Sequence, residues 1–403
     1  MRVKRVYMWR DHKVNELMLL AQRIEDAPLT MKNKVFFVNR ERELGILNNL
    51  ARFSPGGIFG VASETGMGKT TLFNLFGTAG NKNKKFIISI TEKDSKKNIV
   101  ADLIYKFASL LERENKLHDL ASSAKRFIIE EINSETSVSV GGNFVVSGTL
   151  TRGKSKAQRF NIYSLKERLK ELLSNVLDLY ERCVIVIDEI DKEKKEDVVV
   201  ILDSLKDVLN VEGLVVIFAL PFVIYREYIK DRLHKGEFGN LENILKEMVF
   251  LEPMTQSQIE EIIWKRIKGF EELVEEEAVK TAARFSDGNP REALWALNRA
   301  IFRQKVSSSS TVKITKTMIL DGIKDFSEEA LAEAKLSEQQ LKAVKSLKDY
   351  EGSRNEIINY LKSNGFAHST AYDIVARLEE KAILIRGKMG YRISGKFSSV
   401  LSE

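Results

Sequence analysis

The chain has 403 residues, 43% of them hydrophobic and 30% charged, with a formal net charge of +7. This is the composition of a core-forming protein of about two to four domains and not of a disordered chain, and its single cysteine, Cys183, excludes a disulfide framework or a cysteine metal cluster. No run approaches the ~18 apolar residues of a membrane span, and Met1-Arg2-Val3-Lys4-Arg5 has no apolar signal region behind it, so no membrane association and a cytoplasmic location are expected.

Residues 1–35 form a basic N-terminal extension in which Val14, Leu17, Met18, Ala21 and Ile24 follow a helical period up to Pro28. A helix beginning near Arg40 carries Leu44, Leu47 and Leu50 on one face. Pro55-Gly56-Gly57 makes a turn, and Ile58 to Ala62 reads as a buried strand.

That strand leads into Ser63-Glu64-Thr65-Gly66-Met67-Gly68-Lys69-Thr70-Thr71 and then a helix-compatible run, Leu72 to Phe76. Strand, glycine-rich turn and helix opened by Lys-Thr is the context a phosphate-binding loop requires. The glycines turn backbone N–H groups toward phosphate oxygens, Lys69 reaches the outer phosphates and Thr70 offers its hydroxyl to Mg²⁺. Ser63 stands where the pattern usually has glycine, which predicts altered loop detail without loss of binding.

Beyond the loop, Gly77 to Lys85 reads as a polar turn and Phe86 to Ile90 as a strand. A helix capped at Asp94 or Ser95 runs to Glu112, and another spans Leu117 to Ile132. From Ser137 to Leu150 the period changes to that of a hairpin with a Gly141-Gly142 turn, followed by the basic stretch Thr151 to Lys156. Such a hairpin touches nucleic acid or a neighbouring subunit, or is an ordinary surface excursion. Ile162 to Tyr180 is helical.

The second anchor is Cys183-Val184-Ile185-Val186-Ile187-Asp188-Glu189-Ile190-Asp191. A β-branched run ending in carboxylates reads as a central parallel strand whose carboxyl edge faces a ligand. Asp188 joins Thr70 as the Mg²⁺ pair, and Glu189 polarises the attacking water. Lys192 to Asp197 is a charged connection, Val198 to Leu209 a helix, Leu214 to Ala219 a strand closed by Pro221, Tyr225 to Leu233 a helix and Met248 to Leu251 a last strand. Residues 36–252 thus form an α/β core, a P-loop NTPase parallel sheet covered by helices, with a hairpin insertion near 137–150.

After Pro253 the pattern is all-helical. A helical lid spans 253–305, with a cap at Thr255, a helix over Leu273 to Phe285, the turn Ser286-Asp287-Gly288-Asn289-Pro290 and Arg291 in the first turn of the next helix. A cation is disfavoured in a first turn, which points to an anionic partner for Arg291. Residues 306–330 read as a linker. Residues 331–403 contain three helices and two short strands, Ile383 to Ile385 and Tyr391 to Ile393, around a basic turn. This is a C-terminal winged helix-turn-helix pattern. Its third helix offers Ser369, Thr370, Tyr372, Asp373 and Arg377 to double-stranded DNA, and Arg386, Lys388 and Arg392 belong to the wing. The same module is equally available for contacts with a protein.

The Ser63–Thr71 and Val184–Asp191 motifs, with the order of core, lid and winged helix, resemble the archaeal ATPase branch of the AAA+ and STAND superfamily, especially origin-recognition and Cdc6-type initiators. The resemblance implies ATP or ADP with Mg²⁺ as ligands and ATPase activity, fast or slow. It places Val38, Asn39 and Arg40 near the adenine, and makes Arg291 of Gly288-Asn289-Pro290-Arg291 the second sensor. In such proteins the first sensor is a polar residue at the end of the strand that here reads Ala219-Leu220-Pro221. Arg232 is the first candidate for an arginine finger and Arg226 the second, a role that implies a homo-oligomer. Three functions fit this organisation: an ATPase that switches DNA binding or assembly, a STAND-like signalling ATPase whose winged helix meets protein, and a mobile-element or viral ATPase that partners a recombination or replication enzyme.

Overall fold

In the computed structural model of the chain, the described residues are 16–78, 80, 82–91, 95–139, 162–233, 241–303, 313–387, 390–397 and 401. The first element is a helix, α1 (16–23), which buries Leu17 and Leu20. The chain divides into two compact units, Arg40–Leu251 and Met1–Asn39 with Glu252–Glu403.

Within Arg40–Leu251, α2 (Glu41–Phe53) precedes β1 (Gly57–Ser63), a strand buried along its whole length. The glycine-rich turn follows, and α3 (Lys69–Leu75) starts at the lysine. Next come β2 (Asn83–Ser89), α4 (Lys96–Leu111), α5 (His118–Ser139), α6 (Ile162–Leu179), β3 (Arg182–Asp188), α7 (Lys195–Leu209), β4 (Leu214–Pro221), α8 (Phe222–Leu233), α9 (Leu241–Ile244) and β5 (Glu247–Phe250). The five strands pair in the order β2-β3-β4-β1-β5, and every pairing is parallel. Burial on both faces explains the unbroken apolar runs in β1, β3 and β4.

Two sequence expectations differ here. The strand β2 begins at Asn83 and takes in Lys84 and Lys85, which read as turn residues. Lys85 is accommodated because its Nζ donates to the carbonyls of Phe73 (2.8 Å) and Phe76 (2.5 Å), at the C-terminal end of α3. Helix α5 runs through Ser137, Val138 and Ser139, where the hairpin was to begin. No glycine or proline lies between Ile132 and Ser139 to stop it. The rest of the expected hairpin, 140–150, and the basic stretch after it lie outside the described residues.

In the other unit, α10 (Gln256–Ile267), α11 (Glu276–Phe285) and α12 (Pro290–Phe302) pack with α1 around one apolar core. The expected helix from Leu273 starts later, because Val274 pairs with Ile314 in an isolated bridge. Helix α13 (Lys316–Ala334) occupies most of the expected linker. Thr315 caps it, Ile319 and Ile323 sit in the core shared with α10, α11 and α12, and Leu331 and Ala334 pack on the C-terminal core. That second core is built from α14 (Glu338–Ser346), α15 (Arg354–Ser363), α16 (His368–Glu380) and the antiparallel pair β6 (Leu384–Arg386) and β7 (Tyr391–Ile393). A bridge from Gly352 to Tyr391 extends the pair.

Candidate nucleotide site

The glycine-rich turn joins β1 to α3 with Gly66 at φ 89° and Gly68 at φ 96°, backbone conformations that favour glycine. A Cβ built on Gly68 would meet nothing within 4 Å, so the turn faces open space. Glu64 and Thr65 are exposed at its rim, Met67 is buried beneath it, and Thr71 is half-buried in the first turn of α3.

Lys69 is only 5% exposed. Its ammonium has four acceptors: Ser63 Oγ at 2.8 Å, Glu64 O at 3.0 Å, Ser63 O at 3.1 Å and the Asp191 carboxylate, Oδ2, at 2.9 Å. The serine found in place of a first glycine is therefore engaged by the loop's lysine, and its own hydroxyl donates to Glu64 O at 2.8 Å.

Thr70 Oγ1 donates to Asp188 Oδ2 at 2.9 Å, joining the helix after the loop to the carboxyl end of β3. Burial pushes the Asp188 carboxyl above its usual range, and the neighbouring Asp191 and Glu189 charges push the same way. Hydrogen bonds from the Glu189 N–H, at 2.8 Å, and from Thr70 oppose the rise. A hydroxyl and a carboxylate in contact suit Mg²⁺, which keeps several waters and takes few protein ligands beside phosphate oxygens. Among the described residues no cluster of three His, Cys, Asp or Glu side chains forms a separate metal cage. The donor set thus fits a magnesium–phosphate ligand.

Glu189 has a left-handed backbone, φ 70°, in which non-glycine residues are uncommon. Its carboxylate is 45% exposed and holds Lys192 Nζ at 2.6 Å. The end of β4, between β1 and β3, carries apolar Leu220 and Pro221 where a polar first sensor was expected. Arg40 is buried at the start of α2, with Nη1 3.1 Å from Glu43 Oε1. Arg226 is exposed on α8. Arg232 is exposed but folds along its own helix, donating to the Tyr228 hydroxyl at 2.9 Å.

The remaining candidates belong to the other unit. Val38 is buried in the core shared with α10, α11 and α12. Asn39, at φ 61°, donates to Glu261 Oε2 at 3.0 Å and Gln258 O at 3.4 Å. Arg291 lies 3.5 Å from Asp26 Oδ2, so its anionic partner here is a protein carboxylate. On α16, Ser369, Tyr372, Asp373 and Arg377 are exposed and Thr370 is half-buried, while Arg386 is exposed on β6. Lys388 lies outside the described residues. Arg392 is turned inward: its Nη2 lies 3.0 Å from Asp287 Oδ1. The missed residues are Asp191, three positions beyond Asp188 and readable only as a third acid, and Asp287, which looked like a turn residue.

The KAP family P-loop domain matches residues 45–331. Among solved structures, the Walker-type ATPase paby2304 of Pyrococcus abyssi is similar at 12% identity and TM-score 0.50, over 94% of this chain and 99% of that one. The Aeropyrum pernix ORC2 protein, solved in ADPNP–ADP complexes, follows at 13% identity and TM-score 0.44, over 92% and 96%. Drosophila ORC bound to DNA gives 15% identity and TM-score 0.40, over 96% and 90%. No curated protein matches. Among the described residues no helix is long and apolar enough to cross a membrane. With the matched domain covering most of its length, the chain belongs to the KAP family of P-loop NTPases.

Proposed function

We propose that the chain is a Mg²⁺-dependent ATPase whose nucleotide state sets DNA binding or assembly through the 253–305 lid and a C-terminal winged helix. The observation that carries the nucleotide half is the contact of Thr70 with Asp188 beside a buried Lys69. Lys69 would hold the outer phosphates, and Thr70 and Asp188 would hold the cation. When bound, Mg²⁺ would supply charge neutralisation at the phosphates. Glu189 orients the attacking water once its carboxylate leaves Lys192. The Arg291 helix reads nucleotide through a guanidinium that exchanges Asp26 for phosphate.

Support for the DNA half is the exposure of Ser369, Tyr372 and Arg377 on α16. The test is binding of the full chain to a library of duplexes at fixed salt, with ATP, with ADP and without nucleotide. Nucleotide-dependent enrichment of a sequence supports the reading, and binding indifferent to nucleotide sinks it.

A second reading, a switch whose winged helix meets protein, is favoured by one contact. Arg392, a wing residue assigned to DNA, is consumed within the chain by Asp287. ATP-driven change in oligomer mass with no duplex affinity would select it.

A further inference from the structure

Resting on the nucleotide-site reading above, we propose that Asp191, assisted by Ser63, is an internal competitor for the phosphate group: its carboxylate must release Lys69 before the lysine can bind nucleotide. An ammonium has three N–H donors. Around Lys69, Ser63 Oγ, Ser63 O, Glu64 O and Asp191 Oδ2 all stand within 3.1 Å, so the donors are saturated. A phosphate oxygen binds Lys69 only by displacing one of them.

Asp191 is the member that leaves. It is the anion among the four, so an arriving phosphate repels it while repelling neither the hydroxyl nor the carbonyls. It also stands beside Asp188, whose carboxyl its charge already pushes upward. The Asp191 side chain is 10% exposed and Lys69 5%, so their attraction is weakly screened and costly to break. Ser63 contributes because a glycine at its position has no Oγ to accept from Lys69. Asp191 acts through Lys69 and is a positioning residue. Its effect is to set nucleotide affinity below what the loop alone would give and to keep the lysine folded inward until phosphate arrives.

The experiment is calorimetric titration of the full chain with ADP in excess EDTA, which separates phosphate capture from cation binding. Asp191→Asn is expected to bind ADP about tenfold more tightly, the scale of one charge-assisted hydrogen bond no longer opposed. Ser63→Gly is expected to give a smaller gain, and Asp191→Glu to remain near wild type. Thermal unfolding without nucleotide should show Asp191→Asn less stable, because Lys69 loses its counter-charge. A purely structural role predicts weaker ADP binding in step with lost stability, so unchanged or weaker affinity in Asp191→Asn overturns the proposal. If that variant does not fold, Ser63→Gly decides, and wild-type affinity there overturns it. Failure of wild type and all variants to bind ADP, in EDTA and again with Mg²⁺ restored, removes the nucleotide-site reading together with this inference.

Discussion

Arg392 of β7 lies 3.0 Å from Asp287, the turn residue four positions before Arg291. Two further groups close on the same carboxylate: Ser394 donates its hydroxyl to Oδ2 at 2.5 Å and the Gly395 N–H donates to Oδ1 at 2.9 Å. The turn's other side is held by Met254, whose N–H donates to Gly288 O at 3.0 Å. The Asp287 side chain is 14% exposed, and burial raises its pKa against the pull of Arg392. Replacing it by Ala leaves Arg392 facing no charge and is expected to cost about 3 kcal/mol. Chemical denaturation would show this as a lower unfolding midpoint. A Cβ at Gly395 would lie 1.8 Å from Arg284 O, so Gly395→Ala is expected to loosen the same contact by about 1–3 kcal/mol.

Lys69→Ala is expected to abolish measurable nucleotide binding, whereas Glu189→Gln should bind ATP normally and turn it over about 10²–10³-fold more slowly. Phosphate release against a titration with ATP separates the two. Normal turnover in Glu189→Gln removes the residue from its assigned role.

Arg377→Ala is expected to weaken duplex binding and to lower the slope of log affinity against log salt by about one unit. Arg392→Ala should instead lower the unfolding midpoint and leave that slope unchanged, because its guanidinium is spent on Asp287. Fluorescence anisotropy at three salt concentrations distinguishes them.

Burial pushes the Lys85 ammonium down to about 8 from 10.5, even though two carbonyls and the face of Phe76, 4.3 Å away, favour its charge. Below pH 8 the folded chain holds a proton there at a cost. Between pH 8 and 10.5 the unfolded chain keeps that proton while the folded one gives it up, so this residue's contribution to stability rises with pH across that window. Lys85→Met is expected to remove the rise, read as unfolding midpoints for both proteins from pH 7 to 10.5.

Cys183, the second residue of β3, is fully buried and burial pushes its thiol up to about 12. The folded chain is expected to resist thiol reagents at pH 8, and denaturant should release one reactive thiol.

The parts of this fold legible in advance were those whose signal is local. The loop from Ser63 to Thr71 and the run from Cys183 to Asp188 carry their geometry in consecutive residues, and the structure brings them together through Thr70 and Asp188. Lys84 and Lys85 misled because what makes a lysine tolerable in that strand lies elsewhere in the chain, the Glu114 carboxylate for Lys84 and the end of α3 for Lys85. Asp191 gave no warning of its role, since pairing with Lys69 depends on how β3 stands relative to the loop. The four serines at 307–310 suggested a break, yet Thr315 restarts a helix five residues later.

That helix, α13, has consequences for how a small event travels. Its 19 residues span about 28 Å at the usual rise of ~1.5 Å each. Its first half is embedded beside α12, which starts at the turn before Arg291, and its second half packs, through half-buried Leu331 and Ala334, on the core that supports α16. Such a rod has no joint at which to absorb motion. A rotation of about 10° at its N-terminal end would carry the far end through about 5 Å, comparable to the pitch of one helical turn. The surface of α16 can thus be re-aimed by a tilt too slight to disturb either core, with amplification supplied by length alone.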